Sequence, residues 1–155
     1  MSDLKTIQTP FPHEMVSLRV GGQDVCIDVM SVREIRVWTP ATPLAHSPRM
    51  LIGVIDLRGG IVPIVDFADR LGFAPTVPTS RHAILVVEIG QQVIGLLVEE
   101  VTEIITIDPD RVQPTPEIYA KSSGMVRGMI SVNNRLISII DLADLVPVQG
   151  YLEAA

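Results

Sequence analysis

Residues 18–35 read LRVGGQDVCIDVMSVREI, and residues 87–104 read VEIGQQVIGLLVEEVTEI. Laid over one another with a shift of 69, they share Gly21/Gly90, Gln23/Gln92, Val29/Val98, Val32/Val101, Glu34/Glu103 and Ile35/Ile104. A six-residue insertion then raises the shift to 75, and residues 53–69 (GVIDLRGGIVPIVDFAD) lie over 128–144 (GMISVNNRLISIIDLAD). Gly53/Gly128, Ile55/Ile130, Ile64/Ile139, Asp66/Asp141, Ala68/Ala143 and Asp69/Asp144 coincide there. A tandem repeat of this length predicts two similar lobes. Two lobes make a cleft, and a cleft is a natural binding place.

Each copy has the rhythm of β-structure. The chain carries 20 Val and 18 Ile against 4% aromatic residues, and stiff β-branched side chains suit a pleated surface. Gly21-Gly22 and Gly90-Gln91 each separate two alternating runs, as hairpin turns do. Residues 31–38 alternate, and 39–49, broken by Pro40, Pro43 and Pro48, reads as a loop. The runs 51–57 and 61–65 flank Gly59-Gly60, read as a tight turn, with Asn133-Asn134 in that place in copy two. Asp66 and Asp141 are placed to cap one short helix per copy. Pro75 and Pro78 mark the passage between copies, and 108–123 is a proline-rich connection. About five short strands per copy predict an all-β fold of two small, strongly twisted barrels. The expected organisation is a flexible arm over 1–14, a domain over 15–147 and a tail over 148–155. The barrels fall roughly at 15–80 and 81–147, with exchange of strands between them left open.

Composition narrows the function. At 155 residues the chain can bury a sizeable core, and 47% hydrophobic against 19% charged residues argues against disorder. A net charge of −6 disfavours nucleic-acid binding, which needs clustered Lys and Arg. Apolar runs such as 93–98 are too short to span a bilayer, and the first 14 residues show no apolar signal region, so a cytoplasmic protein is expected. Cys26 stands alone in an apolar strand and reads as a core residue. His13, His46 and His82 are scattered without metal-ligand spacing, no phosphate-binding loop occurs, and Ser122-Ser123 lacks a nucleophile's context. Glu99-Glu100 reads as a solvated strand end. Neither a catalytic constellation nor a cofactor or metal site is expected.

Positions that the copies do not share point to partners. Arg58 is replaced by Asn133 in copy two. Its planar guanidinium suits a carboxylate, either of Glu34 within the chain or of a bound partner, and the two uses are compatible. Gly53 recurs as Gly128 and reads as a barrel-bending position, whereas Gly95 faces Cys26 in the alignment and reads as a close-approach site.

The run Val32-Arg-Glu-Ile35, the string GVIDLRGGIVPIVD at 53–66, Leu71-Gly72, Gly95 within VIGLLVEEV, and 112–117 (VQPTPE) resemble the CheW-like coupling proteins of bacterial chemotaxis. So do Val126-Arg-Gly128 and 136–142, and the likeness extends over about residues 15–147. The resemblance implies two SH3-like five-stranded barrels and a non-catalytic adaptor. Such an adaptor joins the regulatory domain of a CheA-like histidine kinase to the cytoplasmic tip of methyl-accepting chemoreceptors. It is a monomer alone and part of a large array with its partners, with no nucleic acid and no membrane insertion of its own. Carried across, Val32, Glu34, Gly53, Arg58, Gly95 and Val101 match receptor-coupling positions, and Gln113 and Ile118 match a kinase contact. Those last two are uncharged and aliphatic where the family commonly has basic and aromatic residues. A general SH3-like protein-binding module of a non-flagellar chemosensory pathway is the alternative.

Overall fold

Turns containing glycine or asparagine set four hairpins. β1 (His13–Val20) and β2 (Gln23–Asp28) turn back through Gly21 and Gly22, whose φ values of 58° and 76° suit a residue without Cβ. β6 (Ala83–Ile89) and β7 (Gln92–Val98) turn at Gly90. β4 (Leu51–Leu57) pairs with β5 (Gly60–Asp66), and β9 (Val126–Val132) with β10 (Arg135–Ile140). β3 (Val32–Val37) and β8 (Glu100–Ile107) complete ten strands, with one helical turn, α1 (Phe67–Arg70), after β5. The computed structural model describes residues 13–116 and 125–145. The expected tail lies outside these residues, as does most of the expected arm, but β1 already begins at His13.

The strands form two five-stranded sheets, ordered β8-β1-β2-β10-β9 and β3-β6-β7-β5-β4. Each sheet takes the first two strands of one copy and the last three of the other. One lobe is therefore contiguous, holding strands from 32 to 98, and the other is split between 13–28 and 100–140. The division is thus not at 80/81. The reason lies in two parallel pairings, β2 with β10 and β5 with β7. A tight turn cannot supply a parallel neighbour, so the partner comes from the other copy. The chain passes between lobes at Val29–Ser31, a 3-10 turn capped by Asp28, and again at Glu99. Glu99 is more than a solvated strand end: its Oε1 accepts from the Gly22 amide at 2.6 Å, tying the second passage to the β1–β2 tip.

Both sheets curl in the same way. Thr42 and Val54 exchange two backbone hydrogen bonds of 2.8 and 2.9 Å, and Gln113 and Met129 exchange two of the same lengths. Each pair ties the last strand of a sheet to the segment after its first. Gly53 sits at this closure, where a Cβ would collide with the Thr42 carbonyl.

Three apolar clusters hold the molecule. A central one takes Val16, Leu18, Val25 and Ile27 from the split lobe and Leu85, Val87, Ile94 and Leu96 from the inserted lobe. The split lobe has its own interior around Cys26, Ile130 and Ile137, and the inserted lobe has one around Ile64, Ile84 and Leu97. Asp66 caps α1 through the Asp69 amide and also accepts from Thr76 N and Oγ1 at 2.7 Å, fixing the passage between copies. Asp141 accepts from the Ala143 amide at 2.9 Å ahead of a 3-10 turn.

Candidate functional site

β3 carries the site because its two faces have different tasks. Side chains two apart on a strand share a face, so Glu34 and Arg36 stand together beside the β4–β5 hairpin. Register Leu57↔Gly60 makes Arg58 and Gly59 the turn residues, one position earlier than the glycine pair suggested. Arg58 is left-handed at φ 53°, a conformation that disfavours a side chain with a Cβ. Its guanidinium is bidentate to Glu34, Nη1 to Oε1 at 3.1 Å and Nη2 to Oε2 at 3.2 Å, while 76% of the side chain remains exposed. Arg36 Nη1 lies 3.5 Å from the same Glu34 Oε2. Glu34 and Arg58, with Arg33, Leu57, Ile61 and Val93, line the mouth of the inserted lobe. Arg33 pairs with Glu88 at 3.4 Å.

The ion pair recurs although its arginine does not. Glu103, the counterpart of Glu34, is held by Arg135 of the β9–β10 hairpin at 2.8 Å. The alignment hid this because Arg135 is displaced by two positions from the counterpart of Arg58. A clasp between edge strand and hairpin is therefore common to both lobes.

The other face of β3 is apolar. A bulge between Val32 and Glu34, matched by one between Val101 and Glu103, shifts the alternation, so that Val32 lies opposite Val87 and Ile35 opposite Leu85, and in the split lobe Val101 lies opposite Leu18 and Ile104 opposite Val16. Cross-strand neighbours share a face, and Leu85, Val87, Val16 and Leu18 all belong to the central cluster. The apolar face between the lobes thus continues outward along both edge strands. Val32 and Val101 are half-buried against it, while Ile35 and Ile104 are 54% and 60% exposed. Ile61 and Leu136, again counterparts, are exposed at the two hairpins.

The remaining expected residues lie elsewhere. Gly53 is buried at the barrel closure. Gly95 is buried in β7, where a Cβ would stand 2.5 Å from Ile64 Cδ1 and 2.9 Å from Ile84 Cγ2. Its close neighbours are internal, so it shapes the lobe and does not reach the surface. Gln113 is exposed beside Met129, and Ile118 lies outside the described residues. Another cleft has residues of both lobes, among them His13, Asp28, Glu88, Arg127 and Asp141, and its lining includes none of the six receptor positions. Sequence reasoning missed Arg36, whose signal was its place two residues after Glu34 on an alternating strand.

Among the described residues no group of three His, Cys, Asp or Glu side chains could hold a metal, and no helix is long and apolar enough to cross a membrane. Burial pushes the Cys26 thiol up to about 12, which leaves it protonated and unreactive.

Two SH3-like lobes on a shared core, with clasped mouths and apolar edges, define a β-barrel scaffold. The CheW-like domain profile matches residues 14–149, and the chain belongs to that family of chemotaxis scaffold proteins. It is 46% identical over 134 residues to a probable chemotaxis protein CheW of Rhizobium etli, covering 86% of each chain. The chemotaxis protein CheW of Rhizobium meliloti is 44% identical over 87% of this chain and 88% of its own. The crystal structure of the scaffolding protein TtCheW from Thermoanaerobacter tengcongensis superposes with a TM-score of 0.78 at 28% identity, covering 89% of this chain and 90% of that one.

Proposed function

We propose that the chain couples the cytoplasmic tip of transmembrane chemoreceptors to the regulatory domain of a CheA-type histidine kinase, without catalysis of its own. The observation that carries this reading is Arg58. A turn that asparagine fills readily in the other lobe is given to a left-handed arginine, fixed in position yet mostly exposed. Beside it, exposed aliphatics continue the apolar face, which suits an amphipathic helix with an acidic flank. In this reading Glu34 and Arg58 touch the receptor, and Val32 and Val101 support the apolar face. Gly53 and Gly95 act through the shape of the lobe. Gln113 and Ile118, on the long connection, serve the kinase. The protein works in the cytoplasm, held at receptor arrays by its partners.

The test is Arg58→Glu in a reconstituted assembly of receptor, kinase and this protein. Receptor control of kinase activity should fall by about tenfold or more, the scale of one lost charge-assisted contact plus a repulsion, while circular dichroism and melting stay near wild type. Undiminished receptor control by the folded variant would remove Arg58 from the interface.

A further inference from the structure

The tip of each lobe's central hairpin abuts the helical turn that ends the other lobe. At the first, Phe73 covers the β1–β2 tip: a Cβ on Gly21 would stand 2.7–2.9 Å from the Cβ, Cγ and Cδ2 of Phe73. Phe73 is held there by its amide, which donates to the Ala68 carbonyl at 2.8 Å, and its ring packs on the central cluster. At the second, the β6–β7 tip borders the cleft between the lobes, which Ile89 and Gly90 line together with Met15, Ile140, Leu142 and Ala143. Among the described residues, no atom beyond the chain neighbours of Gly90 comes within 4 Å of a Cβ placed on it. Gly21 and Gly90 are counterparts in the repeat, and so are Ala68 and Ala143. Among the described residues, then, only one of two equivalent tips has its cover.

We infer that residues 146–148, which follow the described residues, cover the β6–β7 tip from within this cleft, with Val148 in the role of Phe73. The shift of 75 that pairs 53–69 with 128–144 runs on to pair Phe73 with Val148. The two copies also agree in structure up to that point. Asp66 and Asp141 accept hydrogen bonds at the start of the turns, and Leu71 and Leu145 follow inside the central cluster. Leu145 is thus anchored, and three further residues span at most about 10 Å, a short reach to a cleft that Leu142 and Ala143 already line. The chemistry of the segment fits: Val146, Pro147 and Val148 are apolar, as a wall of Met15, Ile89, Ile140 and Leu142 requires. Pro147 keeps the residue before it extended and stops the helical turn from running on. Val148 is as far as the strap has to reach. Asp66 draws on Thr76, ten residues further along, whereas Asp141 gives its Oδ2 to Arg127 at 3.2 Å. Each lobe then fastens the hairpin tip of the other, and the two straps together fix the angle between the lobes.

Disulfide trapping in the full chain tests this. Ile89→Cys combined with Val148→Cys should close to an intrachain disulfide under mild oxidation in dilute solution. It should do so about tenfold or more faster than Ile61→Cys combined with Val148→Cys, because Ile61 stands at the mouth of the inserted lobe, outside the cleft. Cys26 is buried and takes no part. Equal rates for the two pairs would overturn the strap. So would disulfides formed only between chains, which would give the cleft to a second copy. Nuclear magnetic resonance of the single variant Val148→Asp is an independent readout, since an apolar cleft expels a carboxylate. The amide signals of Met15 and Gly90 should shift while that of Gly21 stays in place. Met15 and Gly90 signals identical to those of wild type would mean that Val148 does not touch the tip, and would overturn the inference. The receptor reading stands or falls separately, because the residues it uses do not line this cleft.

Discussion

Arg58 and Asn133 occupy one turn position in two lobes, at φ 53° and 52°. A left-handed conformation costs an arginine roughly 1 kcal/mol more than it costs asparagine or glycine, and an exposed ion pair returns about the same or less. Arg58→Asn should therefore leave stability within about 1 kcal/mol of wild type in urea titration, while receptor coupling is lost. Gly95 behaves in the opposite manner. A valine there would meet Ile64 and Ile84 inside the lobe, so Gly95→Val should lower stability by about 1–3 kcal/mol by overpacking and affect partners only through that. The sequence comparison saw that Gly95 was special; it could not see that the neighbour was internal, because Ile64 comes from a strand 31 residues away in the chain and is paired in parallel. Cys26, the counterpart of Gly95, gives a pH test. Its ordinary value of 9.0 is raised to about 12 by burial, so the folded state holds the proton more tightly than the unfolded state. The stability it contributes is complete below pH 9.0 and is lost as pH rises towards about 12. Cys26→Ala should flatten the decline of stability in that window, and a thiol reagent at pH 8 should label wild type only in denaturant.

Among the elements, the hairpins and helix caps were legible and their registers were not. Gly59-Gly60 announced a turn, but glycine composition does not say which two residues form it. Register is set by which side chains face the core, and the pairing of Leu57 with Gly60 moved the turn onto Arg58. The two capping aspartates were found for the right reason, yet they are unequal. Asp66 is buried and accepts from Asp69 and twice from Thr76, whereas the side chain of Asp141 is 41% exposed beside Arg127. Asp66→Ala should cost about 2–3 kcal/mol, a cap plus donors left buried without an acceptor, and Asp141→Ala about 1 kcal/mol. Thermal melts of the two variants decide it; equal shifts would mean that the link from Asp66 to Thr76 contributes nothing to stability.

At the scale of the molecule, repetition showed how many units there are and left open how they interlock. The pattern of Val and Ile is alike in every strand, so nothing in it states that β2 lies beside β10 and not beside a strand of its own copy. Interlocking has a direct test. Residues 1–80 and 81–155 produced separately each contain strands of two incomplete sheets and should be largely unfolded by circular dichroism. Mixed together they should recover the native spectrum, and two independently folded halves would contradict the exchanged pairing. The exchange also bears on ancestry. One copy alone is two strands, a passage and three strands, and it completes a sheet only with a second copy. Two unlinked copies would make a twofold dimer with identical mouths, bound to change together whenever one residue changed. Fusion into a single chain lifts that obligation, and the cluster of two arginines on one acid at Glu34, against two arginines and two acids around Glu103, shows how far two halves of one duplication have since been free to diverge.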